Sequence, residues 1–129
     1  MNRSTLAVAR ACLQAYVDKN RAALEALLDD NYHFTSPIDN ALDRAAYLRI
    51  CWPNSASTTR VEFIHELDAG PHAFVIYELH TSTGRRFRNC EMHTAREGKL
   101  VATEVYFGWD VPHKVSPGTH ADNDGAGHV

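Results

Sequence analysis

The sequence lacks the long apolar run that a membrane-spanning helix requires, since no stretch approaches roughly 18 consecutive apolar residues. It also lacks an excess of positive charge: 13 Lys and Arg residues face 16 Asp and Glu residues, for a formal net charge of −3. A chain without a basic surface is not expected to bind nucleic acid. Because the first residues do not show the apolar stretch and cleavage site of a signal peptide, we expect a cytoplasmic protein with no membrane partner.

Cysteine is scarce, and its spacing argues against disulfides. Cys12, Cys51 and Cys90 are odd in number, far apart in the chain and surrounded by apolar neighbours. Such thiols are usually reduced residues of a hydrophobic core. The cysteines therefore predict a reducing compartment, in agreement with a cytoplasmic protein, and three buried thiols of low reactivity.

Motifs that hold metals, phosphates or cofactors are also missing. His65, His72, His80, His93 and His113 show neither HxH nor HExxH spacing, and the chain has no glycine-rich phosphate loop and no GxSxG. We therefore predict no metal site and no cofactor. Any catalysis would have to come from the acid–base chemistry of side chains.

The first half of the chain shows the periodicity of helices. Ser4 and Asn20 are suitable N-caps for two helices, and Tyr16 falls on the inward face of the first. Asp43 is a suitable N-cap for a third helix that runs from residue 44 to about residue 52. A short alternating segment, "YHFTS", precedes this helix and predicts a strand that ends at the following proline.

Strands dominate the second half, where the apolar period changes from helical to two. Four strands are joined mostly by tight turns, and "HAFVIYELHT" is apolar on both faces, as a central strand should be. This order predicts an α+β fold, with a cone-shaped curved antiparallel sheet packed against three N-terminal helices. The end of the chain is rich in Pro, Gly and polar residues, so we expect one domain over 1–113 and a flexible tail over 114–129.

Four segments carry a resemblance to a known superfamily: "FTSPIDNALDR", "CWPNS", "FRNCEMHTAREGKL" and "EVYFGWDVPH". With the element order, they resemble the nuclear-transport-factor-2-like superfamily over about residues 4 to 113, and within it an uncharacterised bacterial subgroup of SnoaL-like proteins. The resemblance implies the cystatin-like α+β barrel, with an apolar cavity at its wide end. It leaves function open, because the superfamily holds enzymes, binding modules and dimerisation domains.

A comparison with the ketosteroid isomerases of this superfamily assigns further roles. The resemblance implies that Tyr16 corresponds to their first-helix tyrosine and Glu91 to the acid on their long strand. Their general base is an aspartate before a proline, and the matching residue here is Ser36. An alcohol cannot replace a carboxylate as a base near neutral pH, so the same isomerase chemistry is not implied.

Glu91 and His93 are two residues apart on a predicted strand and therefore share a face with Phe87 and Asn89. In the family's frame this face lines the cavity, where a carboxyl beside an imidazole could move protons. The alternative is that this face meets solvent, with Cys90 on the core side.

Other candidates lie around the predicted cavity. Asp39 could be a base or polar anchor at the mouth, or it could only hold the bend after Ser36 in shape. Four aromatic residues are candidates for a wall against a flat apolar ligand, with plain packing as the alternative: Phe34, Trp52, Phe107 and Trp109.

The sequence thus predicts a protein that binds a small apolar or aromatic ligand. If it is an enzyme, the expected class is a cofactor-independent isomerase, dehydratase, cyclase or hydrolase that uses Glu91, Asp39, His93 and Tyr16. The alternative is a non-catalytic ligand-binding or dimerisation module. Because three helices can cover only one face of an apolar sheet, we also expect a homodimer.

Overall fold

A computed structural model describes residues 3–121, which form three helices and one sheet of six strands. The helices are α1 (Thr5–Asp18), α2 (Arg21–Leu27) and α3 (Arg44–Ile50), and a 3₁₀ turn follows at Trp52–Ser57. The strands are β1 (Leu28–Ser36), β2 (Asp39–Asp43), β3 (Thr58–Ala69), β4 (His72–Thr81), β5 (Arg86–Arg96) and β6 (Lys99–Asp110). The α+β fold class predicted from the sequence is confirmed.

Each helix begins at the N-cap that the sequence indicates. The side chains of Ser4, Asn20 and Asp43 accept hydrogen bonds from backbone N–H groups of the first turns of α1, α2 and α3. The third helix ends earlier than expected, at Ile50, because the chain tightens into the 3₁₀ turn that contains Pro53. Local hydrogen bonds therefore set the residue at which each helix begins.

The sheet has the order β2-β1-β6-β5-β4-β3 and is curved but unclosed, with β2 and β3 at its edges. The sheet is antiparallel as predicted except at one pair of neighbours, since β1 pairs with β6 in parallel. The helices occupy the inside of the curve. This arrangement leaves space between helices and sheet at one end.

The second strand, β2, lies where the sequence predicts only a bend after Ser36. β2 forms a hairpin with β1 through a turn at Pro37 and Ile38, with Ser36 opposite Asp39. The hairpin brings Asp39 back beside the end of β1. It therefore fixes one side of the open end of the fold.

The core lies between the helices and the concave face of the sheet. The larger cluster of buried side chains contains residues from all three helices and two strands: Val8, Cys12 and Ala15 of α1, Leu24 and Leu27 of α2, Leu28 and Tyr32 of β1, Tyr47 and Leu48 of α3, Cys51, and Leu100 of β6. A smaller cluster joins Leu13 of α1 to Val75 and Tyr77 of β4. Burial of these side chains stabilises the cone by removing apolar surface from water.

The last strand ends at Asp110, and residues 111–121 form bends and turns without a strand. Much of the tail that we expect to be flexible, residues 122–129, lies outside the described residues. The domain boundary near residue 113 stays a prediction.

Candidate functional site

A cavity of about 590 Å³ lies between the helices and the concave face of the sheet. We call its closed end the floor, formed by Tyr32, Tyr77, Glu91, His93 and Thr103, all of which are buried. We call its open end the mouth. There Ile38, Phe107 and Trp109 line the cavity but remain largely exposed. The size and the apolar walls suit a small organic ligand.

Glu91 lies at the floor with its carboxyl directed inward. It is only 7% exposed and lines the cavity, because the alternation of β5 places it on the concave face. The Tyr77 hydroxyl donates to its Oε2 at 2.5 Å, and its Oε1 lies 2.9 Å from Nε2 of His93. This carboxyl is therefore buried, partnered and next to open space.

His93 borders the floor but has no accessible surface (0% exposed). Its Nδ1 lies 3.1 Å from the Thr103 hydroxyl, and its Nε2 is close to Glu91 without the alignment of a good hydrogen bond. The ring of His93 is therefore packed against the floor, with Nε2 beside the Glu91 carboxyl.

Tyrosine hydroxyls surround the rest of the deep cavity. The hydroxyls of Tyr16 from α1 and Tyr47 from α3 are hydrogen-bonded at 2.6 Å. Burial raises the pKa of both far above the usual range for tyrosine, so both remain protonated at neutral pH. Whichever hydroxyl donates within the pair, one O–H hydrogen is left for another acceptor. The pair is thus a neutral donor next to the cavity.

The hydroxyl of Tyr77 is also buried and remains protonated at neutral pH. Burial is the main cause that raises its pKa, and the neighbouring carboxyl of Glu91 adds to the effect. Asn89 Nδ2 contacts its oxygen at 3.4 Å, so the tyrosine accepts from one side and donates to Glu91 on the other. The pattern of β4 predicts only an apolar strand and does not single out Tyr77, and neither Tyr47 nor Thr103 stands out in the sequence. Inward positions on helix and strand, together with the polar tip of tyrosine, are the signal that could have found both tyrosines.

Asp39 lies nearer the mouth, half-buried, and lines the cavity. The Ser36 hydroxyl donates to its Oδ2 at 2.7 Å and accepts from the backbone N–H of Ile38 at 3.1 Å. Asp39 therefore both stabilises the turn and faces the cavity. The two roles that the sequence leaves open do not exclude each other.

The aromatic candidates divide into three groups. Phe34 lines the cavity and packs against Tyr47, with ring centroids 5.0 Å apart. Phe107 and Trp109 lie at the mouth. The expectation that Trp52 lines the cavity is wrong: its ring packs edge-on against Tyr16 at 5.1 Å and is not part of the lining. Trp52 instead supports the tyrosine that does face the cavity.

The mouth also carries charged side chains. The guanidinium of Arg85 stacks on the ring of Phe87 and lies 3.3 Å from Asp110, which also binds Lys114 at 3.0 Å. The hydrogen bond from Lys114 is the main cause that lowers the pKa of Asp110. These ion pairs are exposed and contribute little to stability.

One cluster of possible metal ligands exists among residues 3–121, outside the cavity. Atoms of Glu62, Glu78 and His80 lie within 4.8 Å of one another. However, Glu78 already contacts the guanidinium groups of Arg88 at 3.4 Å and Arg86 at 3.8 Å. This cluster is better described as an ion-pair network than as a cation site.

Fold and site together define a class: a curved sheet and three helices that enclose an apolar cavity with a carboxyl and tyrosine hydroxyls at its floor. The chain belongs to the SnoaL-like domain family, whose pattern matches residues 9–103. Among curated proteins, no sequence matches the chain. None of the described helices has the length and apolar character to cross a membrane.

Solved structures of the same fold are similar to this chain at low sequence identity. An NTF2-like protein of unknown function from Cytophaga hutchinsonii ATCC 33406 is 15% identical, with a TM-score of 0.66 and coverage of 84% of this chain and 93% of the other. A provisionally assigned ketosteroid isomerase from Kribbella flavida DSM 17836 is 20% identical, with a TM-score of 0.68 and coverage of 81% and 77%. An LEH-like epoxide hydrolase from M. tuberculosis is 15% identical, with a TM-score of 0.66 and coverage of 81% and 82%. Identities this low show the shared fold alone.

The cysteines lie in different surroundings, which yields a first prediction. Cys12 and Cys51 are buried, and burial is the main cause that raises the pKa of Cys51 to about 11 and that of Cys12 further. Cys90 is not fully buried, contrary to expectation, because it lies on the convex face of β5. A thiol reagent added to dilute native protein should therefore label Cys90 first and leave the other two almost unmodified. Mass spectrometry of digested samples measures this order.

Unfolded protein is the control, since all three thiols should then react alike. Labelling of Cys12 as fast as Cys90 in the native protein would contradict the burial described above.

Proposed function

We propose that this protein binds a neutral, apolar or aromatic small molecule in the cavity and acts on it by cofactor-independent acid–base chemistry. The observation that carries the proposal is the buried Glu91 carboxyl, partnered by Tyr77 and open to an apolar cavity. A buried carboxyl in such surroundings is typical of sites that transfer protons. Isomerisation, dehydration, cyclisation and epoxide opening all belong to this class of reaction.

The residues divide the work by position. Asp39, nearer the mouth, would take a proton from carbon, while the floor would stabilise the charge that develops on the ligand's oxygen. The free hydrogen of the Tyr16–Tyr47 pair is able to do this directly, and the Glu91 carboxyl is able to do it once it carries a proton. Asp39 and Glu91 belong to one site, because both line the same cavity.

A bicyclic ketone tests the proposal without knowledge of the natural substrate. β-Tetralone is neutral, is small enough for the cavity and has C–H bonds acidified by a carbonyl group. In D₂O, the protein should accelerate exchange of these hydrogens, as followed by proton NMR. Asp39→Asn should remove most of the acceleration, and Asp30→Asn, the same change on an exposed residue of β1, should not.

A non-catalytic ligand-binding module is the second candidate. It is favoured by Ser36, which stands where ketosteroid isomerases carry their base and which already hydrogen-bonds Asp39. Binding of β-tetralone without accelerated exchange would support the module and reject the enzyme. Failure of this ketone and of β-naphthol to bind would reject an apolar-ligand site altogether.

We also infer that two copies of the chain associate through the convex face of the sheet. The cross-strand partners Phe74 and Met92, and Ile76, Cys90 and Tyr106, place apolar side chains side by side on this face. Phe74 and Tyr106 are exposed in the single chain. A patch of this kind on a sheet that has helices on its other face is typical of a self-complementary interface.

The prediction is a dimer at micromolar concentration in sedimentation velocity. Phe74→Lys combined with Tyr106→Lys should yield a folded monomer, because two charges cannot be buried at a twofold contact without partners. Glu97→Lys with Lys99→Glu, two changes at the exposed β5–β6 turn, is the matched control and should remain dimeric. A monomeric wild-type protein would refute this inference and leave the ligand site unaffected. We further expect a cytoplasmic location, which the free thiols favour.

A further inference from the structure

A line of polar side chains crosses three neighbouring strands beneath the cavity. It begins at Thr103 of β6, passes through His93 and Glu91 of β5, and ends at Tyr77 of β4. The strand register explains the arrangement, since His93 pairs with Thr103 across β5 and β6. Among these residues Glu91 has the most open side chain, although that side chain is still only 10% exposed.

His93 lines the floor with almost no accessible surface. Its side chain is 1% exposed, and its two ring nitrogens face Thr103 and Glu91. We therefore expect His93 to act on a ligand mainly through the Glu91 carboxyl, in place of a direct catalytic role.

The hydrogen-bond partners decide which ring nitrogen carries the proton. Tyr77 accepts from Asn89 and therefore directs its own hydrogen to Glu91, which acts as an acceptor at Oε2. If Nε2 of His93 carried a lone pair, it would face a second acceptor, Oε1 of the ionised Glu91 carboxyl, at 2.9 Å. A hydrogen on Nε2 removes this repulsion, and the Thr103 hydroxyl can then donate to the unprotonated Nδ1.

We propose that Thr103 and His93 are positioning residues for Glu91. Thr103 donates to Nδ1 of His93 and thereby holds the neutral ring with its hydrogen on Nε2, the nitrogen that lies 2.9 Å from Oε1 of Glu91. With Tyr77 on Oε2, each oxygen of the carboxyl then has one fixed neighbour. The carboxyl is held in one orientation towards the cavity, as a group that receives or donates a proton must be.

Thr103 and His93 are two buried polar residues that the proposed function does not use. Their effect on catalysis rests on that proposed function, but the position of the proton on the His93 ring does not. The position of a proton on a buried ring can be measured in the ligand-free, full-length protein. Its outcome is therefore independent of whether the protein binds or converts β-tetralone.

The experiment is nitrogen NMR of the protein with ¹⁵N-labelled histidine, in which the two neutral ring forms give different spectra. The His93 signals are those that disappear in His93→Gln. We expect the form with hydrogen on Nε2 to predominate in the wild type. A signal with hydrogen on Nδ1, or a doubly protonated ring at neutral pH, would overturn the proposal without any need for a variant.

Two variants of Thr103 then separate positioning from packing. Thr103→Val keeps the shape but removes the donor, and a mixture of ring forms should appear; Thr103→Ser keeps the hydroxyl and should restore the wild-type form. The proton of the short Tyr77–Glu91 hydrogen bond, expected far downfield and absent in Tyr77→Phe, reports on the carboxyl itself. It should shift or broaden in Thr103→Val and not in Thr103→Ser. Identical spectra for the Val and Ser variants would refute a positioning role.

Discussion

Replacement of Glu91 by Gln is expected to slow β-tetralone exchange by one to three orders of magnitude while the fold is kept. Gln has nearly the same shape and can still accept from Tyr77, so the hydrogen bond at Oε2 is retained. What is lost is the ability of the carboxyl to carry a proton to or from the ligand, which corresponds to about 1.4–4 kcal/mol. The measurement is the exchange rate by proton NMR, with thermal unfolding of the same samples.

The stability of this variant should change little or even rise, because a buried charge is costly to keep. Glu104→Gln is the matched control: the same change on the neighbouring strand, at a residue that does not line the cavity and whose carboxylate binds Tyr106. It should leave the exchange rate unchanged. Equal rates for the wild type and Glu91→Gln would remove Glu91 from the site and leave Asp39 and Tyr16 as candidates.

Local chemistry explains why much of the fold could be predicted from the sequence. N-caps such as Ser4 and Asp43 act on backbone groups within three residues, so their effect is visible in the sequence itself. Alternation along β4 and β5 is equally local, and it places Tyr77 and Glu91 on one face. Both N-caps and strand alternation can be predicted from the sequence because neither depends on residues far away in the chain.

The parts that could not be predicted depend on contacts between distant segments. β2 has little apolar alternation, and Ala41 within it has a positive φ of 49°, so only its pairing with β1 identifies it as a strand. The parallel pairing of β1 with β6 likewise joins residues far apart in the chain. No pattern within a single strand specifies which other strand it will pair with in the sheet.

The site shows the same division. The resemblance and the strand period both indicate Glu91, but the partners of its carboxyl come from other strands. Thr103 comes ten residues after His93 in the chain, and only the register of β5 and β6 brings their side chains together. Tyr47 meets Tyr16 because the fold brings side chains of α1 and α3 to the same cavity, which no spacing within either helix reveals. Trp52 was assigned wrongly for the complementary reason: its aromatic character does not say on which side of Tyr16 it packs.

Gly108 lies in β6 between Phe107 and Trp109, at the mouth of the cavity, and its replacement has the second large expected effect. The register of β5 and β6 shifts between Phe87 and Asn89, so β6 carries an irregularity at this point. There the chains approach closely: a Cβ atom added at Gly108 would lie 2.3 Å from the backbone carbonyl oxygen of Arg88. A backbone oxygen cannot rotate away as a side chain can, so the two strands would have to separate.

Gly108→Ala should therefore lower the free energy of unfolding by about 1–3 kcal/mol, as overpacking does in well-packed proteins. It should also weaken the binding of β-naphthol, because Phe107 and Trp109 flank the glycine and would move with the strand. Urea unfolding and fluorescence titration measure the two effects. Gly118→Ala makes the same change beyond the last strand, where an added Cβ meets nothing within 4 Å. Its positive φ of 79° strains an alanine locally, so this control should lose some stability but leave the binding of β-naphthol unchanged. If Gly108→Ala is as stable as the wild type, the close approach of β5 and β6 at this irregularity is incorrect, and the position of the aromatic mouth must be revised with it.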